Sequence, residues 1–154
     1  MTPPEIGHCV TSVTVEIEAP AAFVWDVLVD YERYPEWNPY TIAGVTTLEV
    51  GAPIDLTLPS YDGSGESFTT REFIRVVDPP YHLCYDSGDH ISGVVGVRDQ
   101  WITELGPDRC SYYTTDAMSG EHAGLAMEMA GDWMKAGFDS VAHALKARAE
   151  QLHP

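Results

Sequence analysis

Apolar and polar residues alternate from the start of the chain. Between His8 and Glu18, Val13, Val15 and Ile17 share one parity and Thr14, Glu16 and Glu18 the other. That is the pattern of a half-buried β-strand. The period changes after Pro20, a residue suited to the first turn of a helix. Phe23, Val24, Val27 and Leu28 follow at helical spacing. Asp30 is placed to cap a second short helical turn, which Pro35 ends, so two short helices follow the first strand. From Thr41 to Met118 the period returns to two. Ile54, Leu56 and Leu58 alternate with Asp55 and Thr57; Phe68, Glu72, Ile74 and Val76 share a face; Leu83 and Tyr85 mark a short strand. Val94–Leu105 and Ser111–Met118 give two longer strands. Asp62-Gly63, Asp78-Pro79-Pro80, Ser87-Gly88-Asp89 and Gly106-Pro107-Asp108 supply turn chemistry between them, and short strands with tight breaks predict an antiparallel meander.

The last segment, about Glu121–Leu152, is an amphipathic helix. Ala130, Met134, Phe138, Val141 and Leu145 form one stripe, joined by Trp133 and Gly137. Glu128, Asp132, Lys135, Asp139, Lys146 and Glu150 form the opposite one. The apolar stripe has to be buried, and the sheet is the only large surface available. The predicted class is α+β, and a long helix laid across a curved antiparallel sheet leaves a hollow between them. The first half of the helix brings Met127, Met129, Trp133 and Met134 to that hollow, either as its roof or as ordinary core packing.

The charge balance narrows the partners. There are 24 acidic against 8 basic residues, a formal net charge of −16. Phosphate backbones and anionic lipid surfaces need Lys/Arg clusters, and the basic residues here are scattered singly. Neither nucleic acid nor membrane insertion is expected, and the charge favours a monomer or weak homodimer. No apolar run approaches a membrane span, and Met1–Glu5 lacks signal-peptide features. The three cysteines, Cys9, Cys84 and Cys110, are far apart and unpaired by any CxxC motif. They read as reduced thiols, with no metal site and a cytoplasmic location expected. At 154 residues without repeats or linkers, the chain is expected to be one domain over 1–154.

Ala19-Pro20-Ala21, Val24-Trp25, Leu28, Asp30, Tyr34-Pro35 and Trp37-Asn38-Pro39 together resemble the opening of the START-related helix-grip superfamily (SRPBCC), especially its polyketide cyclase/dehydrase-like branch. Gly120 before the long helix, then Gly137-Phe138 and Leu145-Lys146-Ala147-Arg148 within it, extend the resemblance over nearly the whole chain. It implies a helix-grip fold, a curved antiparallel sheet wrapped around a long C-terminal helix. It also implies a small hydrophobic or aromatic ligand, polyketide- or lipid-like, in an internal cavity, and no cofactor. Members include lipid carriers, plant hormone-binding proteins, aromatic polyketide cyclases and chaperone-associated domains. Fold therefore transfers more readily than activity, and three roles stay open: a cyclase/dehydratase-like enzyme, a non-catalytic carrier or sensor, and an interaction domain.

No GxSxG, HExxH or phosphate-loop motif is present. Ser119 reads as the cap of the long helix rather than a nucleophile. The candidate catalytic groups are His90, His122 and Asp86, on the expectation that the Asp86–Ser92 loop meets the helix start at the cavity rim. A His beside an Asp supplies a proton acceptor and a charge to orient it; solvated loop residues are the alternative. The candidate ligand-binding groups from the sheet are Glu72, Tyr85, Arg98, Gln100, Tyr113 and Met118. Met129, Trp133, Met134 and Phe138 come from the helix, and Trp37 from the opening motif, where it also has a plain core role. Glu72 either turns inward, needing a partner such as Arg98 or Gln100 because a lone buried charge costs several kcal/mol, or sits at the rim.

Overall fold

The computed structural model describes residues 8–60, 64–89 and 92–153. Among them, eight strands form one antiparallel sheet, β1 (Cys9–Thr11), β2 (Val15–Ile17), β3 (Ala43–Thr46), β4 (Pro53–Leu58), β5 (Phe68–Asp78), β6 (His82–Asp86), β7 (Val95–Gly106) and β8 (Arg109–Ser119). The spatial order is β1-β8-β7-β6-β5-β4-β3, with β2 also on β8. Helix α1 (Ala21–Val29) and a 3-10 segment (Tyr31–Glu36) follow β2, and α2 (Ala123–Leu152) closes the chain. This is the helix-grip arrangement, α2 lying against the concave face of the sheet. At 30 residues and 1.5 Å per residue, α2 is about 45 Å long. No helix among the described residues is long and apolar enough to cross a membrane.

Local chemistry explains where the elements depart from expectation. The first strand is interrupted: Thr11 pairs with Thr115, but Val15 pairs with Tyr112, so one extra residue is accommodated at 12–14. The bulge reverses the parity, so Val10 and Ser12 point inward before it and Val15 and Ile17 after it. The freed backbone is held by side chains, Thr114 N–H donating to Ser12 Oγ at 3.0 Å and Val13 N–H to Asp139 Oδ1 at 2.8 Å. A second bulge lies between Ile74 and Val76. Arg75 is its extra residue, so Val76 leaves the face it was expected to share with Glu72 and Ile74, and Val77 packs against the core instead.

The helix ends differ too. Ser119 is the last residue of β8, and the N-terminus of α2 has His122 at the cap position without a side-chain bond. The chain instead turns through Gly120, at φ +106, where a Cβ would sit 2.5 Å from the Gly93 carbonyl oxygen. His122 N–H donates to that same oxygen at 2.8 Å. Asp30 makes no side-chain cap bond, and Pro35 lies inside the 3-10 segment, which runs on to Glu36.

The core is in two parts. The C-terminal half of α2, with Ala142, Leu145 and Ala149, packs with α1 and with Ile17, Ile54, Ile74, Leu83 and Tyr112. Its flank is fastened to β2 by Lys146 Nζ donating to the Glu16 carbonyl at 2.6 Å, and to the residue after β2 by Glu18 N–H donating to Glu150 at 2.9 Å. The N-terminal half packs with Val10, Tyr40 and Met118, and the hollow is there.

Candidate functional site

Alternation along β5 to β8 decides what the hollow contains. Glu72 faces it from β5, Tyr85 from β6, Arg98 from β7, and Asp116 and Met118 from β8. Asp116, Arg98 and Tyr85 lie in one cross-strand row, each directly opposite the next. The roof is α2, contributing Ala126, Met129, Ala130, Trp133 and Met134. The outer part of the cavity measures about 390 Å³, with Phe68, Thr70, Val94 and Gly96 completing its walls. An inner part of about 160 Å³ continues past Glu72, Asp116, Trp133 and Met134 to Tyr40, Leu56 and Phe138. Met129, at 64% exposure, and Phe68 stand at the mouth. The outer walls are mostly apolar, with Thr70 and Ser87 the uncharged polar exceptions, and the charged groups gather at the junction and the inner part, a distribution suited to an apolar body with a polar anchor.

The polar floor is organised around Arg98. Its Nε donates to Thr114 Oγ1 at 2.6 Å, its Nη1 to the Tyr85 hydroxyl at 3.4 Å, and its guanidinium lies 4.1 Å from the centre of the Phe138 ring. Thr114 in turn donates to the Asp99 carbonyl at 2.7 Å. Below it, Tyr112 donates to Gln100 Oε1 at 2.6 Å. Among the described residues, neither the Glu72 nor the Asp116 carboxyl forms an ion pair with Arg98 within 4.0 Å or a side-chain hydrogen bond, and Asp116 Oδ1 is buried without a partner. Burial pushes the Glu72 carboxyl up to about 8, with the nearby Asp116 charge adding and Arg98 opposing. Burial likewise raises Asp116 to about 6 against the pull of Arg98.

The structure distributes the expected site residues unevenly. Glu72, Tyr85, Arg98 and Met118 meet in the cavity with Met129, Trp133, Met134 and Phe138. Gln100 lies beneath it, taken up by Tyr112. Tyr113 faces the opposite side of the sheet, because it pairs across from Trp101 between the inward Tyr112 and Thr114. Trp37 packs edge-on against Tyr34, 5.1 Å away, beside the α1 core and outside the lining. Asp86 turns outward from the end of β6, accepting from Arg75 at 2.8 and 3.1 Å and from Gly88 N–H at 2.9 Å. His122 is exposed at the start of α2, its ring against Gly93, so the loop end and the helix start do meet, but outside the cavity lining. His90 lies outside the described residues. Asp116 was not singled out from sequence, although it has the parity of Tyr112, Thr114 and Met118.

A family model described as polyketide cyclase / dehydrase and lipid transport matches residues 8–150. No curated protein sequence matches the chain. Among solved structures, the chain is similar to a START superfamily protein from Mycobacterium smegmatis, with 21% identity over 94% of this chain and 98% of that one and a TM-score of 0.67. It is similar to the Zhui aromatase/cyclase from Streptomyces sp. R1128, with 22% identity, 93% of each chain covered and a TM-score of 0.71. It also resembles norcoclaurine synthase from Thalictrum flavum, at 15% identity over 95% of this chain and 96% of that one, with a TM-score of 0.66. At these identities the likeness is one of fold.

Proposed function

Since the chain belongs to the polyketide cyclase/dehydrase and lipid transport family, we propose that it binds one small, largely apolar or aromatic organic molecule between α2 and the sheet. The observation that carries this is the cavity: about 390 Å³ of space walled by Phe68, Val94, Met118, Ala130, Trp133 and Met134. Space of that size falls within the usual range for small-molecule sites, about 300–1,000 Å³. The charged groups lie only at its inner end, where they can orient a ligand without opposing the entry of its apolar body.

Nile red, neutral and fluorescent in apolar surroundings, tests this. Saturable emission is expected with the wild type and with Ala136→Trp, on the exposed side of α2. Ala130→Trp puts an indole into the cavity and should abolish the signal. Equal emission from Ala130→Trp would overturn the assignment.

A second reading, a cyclase- or dehydratase-like enzyme, draws on one observation. Glu72 holds its proton up to about pH 8 beside an apolar space, and a carboxylic acid so placed can act as a general acid toward a ligand carbonyl. On that reading the acid is Glu72 rather than His122 or Asp86, because neither of those lines the cavity.

A further inference from the structure

The polar end of the cavity is unbalanced. Among the described residues lining it, two carboxyls, Glu72 and Asp116, face one cation, Arg98. Arg98 has its Nε and Nη1 directed to Thr114 and Tyr85 and its face against Phe138, so it forms no ion pair with either acid. Asp116 Oδ1 is buried with no donor, over Gly96, where a Cβ would come within 3.2 Å of it. Among the described residues α2 adds no titratable group to the lining, only Ala, Met, Trp and Phe. Buried acceptors call for donors, and an aromatic wall beside carboxylates is the setting in which an ammonium group is most favoured.

We propose that the ligand of this cavity carries a basic nitrogen, its ammonium group seated between Glu72 and Asp116 and its apolar body running along Trp133 and Met134 toward the mouth. The proposal rests on the cavity reading above and deepens it to a ligand class, apolar monoamines. One positive charge would neutralise the carboxylate that Glu72 becomes on losing its proton, and would supply a donor to the buried Asp116 oxygen. The strongly acidic surface, at −16, raises the local concentration of cations and so favours the same class.

A pH signature follows. Glu72 is faced by Asp116 and Arg98, by the hydroxyls of Tyr31, Tyr40 and Tyr85, and more distantly by Asp86, which is held by Arg75. Its proton is retained up to about pH 8. An ammonium ligand requires the carboxylate, so binding below that pH releases a proton. Affinity should therefore rise with pH from 6 to 8, by at most about tenfold per unit, and level off above it.

Isothermal titration with tryptamine, tryptophol and indolepropionate separates the possibilities, because the three share an indole body and differ in the charge of the tail. Tryptamine should bind at least about tenfold more tightly than tryptophol at pH 8, and indolepropionate most weakly. Glu72→Gln and Asp116→Asn, which keep the volume and remove a charge, should each reduce that preference while tryptophol binding persists. In two buffers of different ionisation enthalpy, tryptamine binding at pH 7 should show proton release in the wild type and not in Glu72→Gln. Tryptophol or indolepropionate binding as tightly as tryptamine, or a preference unchanged in both variants, would overturn the proposal and leave the cavity reading intact. Failure of all three compounds to bind, together with unaltered Nile red emission from Ala130→Trp, would overturn both.

Discussion

Glu72→Gln should make the protein more stable at alkaline pH and leave it unchanged at acidic pH. The Glu72 carboxyl moves from an ordinary 4.5 when unfolded to about 8 when folded, burial being the main cause. Between those values the folded state holds a proton that the unfolded chain has lost, so unfolding free energy falls as pH rises. At about 1.4 kcal/mol per pH unit, the loss accumulated by pH 8 is on the order of 4 kcal/mol. That is a large fraction of the roughly 5–15 kcal/mol by which a domain is stable. Glutamine has nearly the same shape as protonated glutamate and does not ionise. The two proteins should therefore have the same urea midpoint at pH 4.5 and diverge steadily to pH 8, the variant being the more stable, with a constant gap above that. Asp116, raised from 3.8 to about 6, remains in both proteins, so the shallower loss below pH 6 should survive in the variant. Urea unfolding followed by circular dichroism at half-unit pH steps measures the gap. A gap independent of pH, or a variant less stable than wild type at pH 8, would refute the reasoning.

Three further outcomes follow from the packing. Trp133 is half-buried, with ring centres 5.1 Å from Tyr40 and 6.3 Å from Phe68. Trp133→Ala should lower tryptophol affinity at least about tenfold while costing less than the roughly 3–5 kcal/mol of a fully buried Trp; a large drop in melting temperature with affinity intact would make it plain core. At Gly137 a Cβ would lie 2.2 Å from Tyr40 Cδ1, so Gly137→Ala should destabilise by about 1–3 kcal/mol in urea titration through overpacking, despite alanine's better helix propensity. Cys9 is exposed, whereas burial pushes the thiols of Cys84 to about 12 and Cys110 to about 11. Iodoacetamide at pH 8 should therefore modify Cys9 in the native protein and all three in urea, read by mass spectrometry.

The sequence conveys the elements with a strong, long-range period well and those set by a partner strand poorly. The stripe of Phe138, Val141 and Leu145 on α2 is buried as its 3.6-residue spacing demands. Ile54 and Leu56 alternate inward as expected. The two bulges are not visible in sequence, because an extra residue at 12–14 or at Arg75 is defined only by the register of the neighbouring strand. The misplaced Val76 follows from the second. Tyr113 and Asp116 show the same limit in the site. On β8, strict alternation from Met118 assigns Asp116 inward and Tyr113 outward, but an acid on the concave face opposes the usual cost of burying charge. Local preference therefore points the other way at the positions where the site departs from ordinary core. Ser119 has the chemistry of a helix cap, yet the close passage of Gly93 against Gly120 occupies that end instead.

A small apolar molecule that enters the hollow between α2 and the sheet would lie against the methionines that line it. Methyl-labelled methionine gives the most direct test, since Met118, Met129 and Met134 line that hollow and Met127, packed near Gly131, does not. Titration with tryptophol, followed by methyl NMR, should shift the Met118 and Met134 signals in a saturable way and leave Met127 close to its free position. Saturable binding that moves Met127 while Met118 and Met134 stay fixed would contradict it.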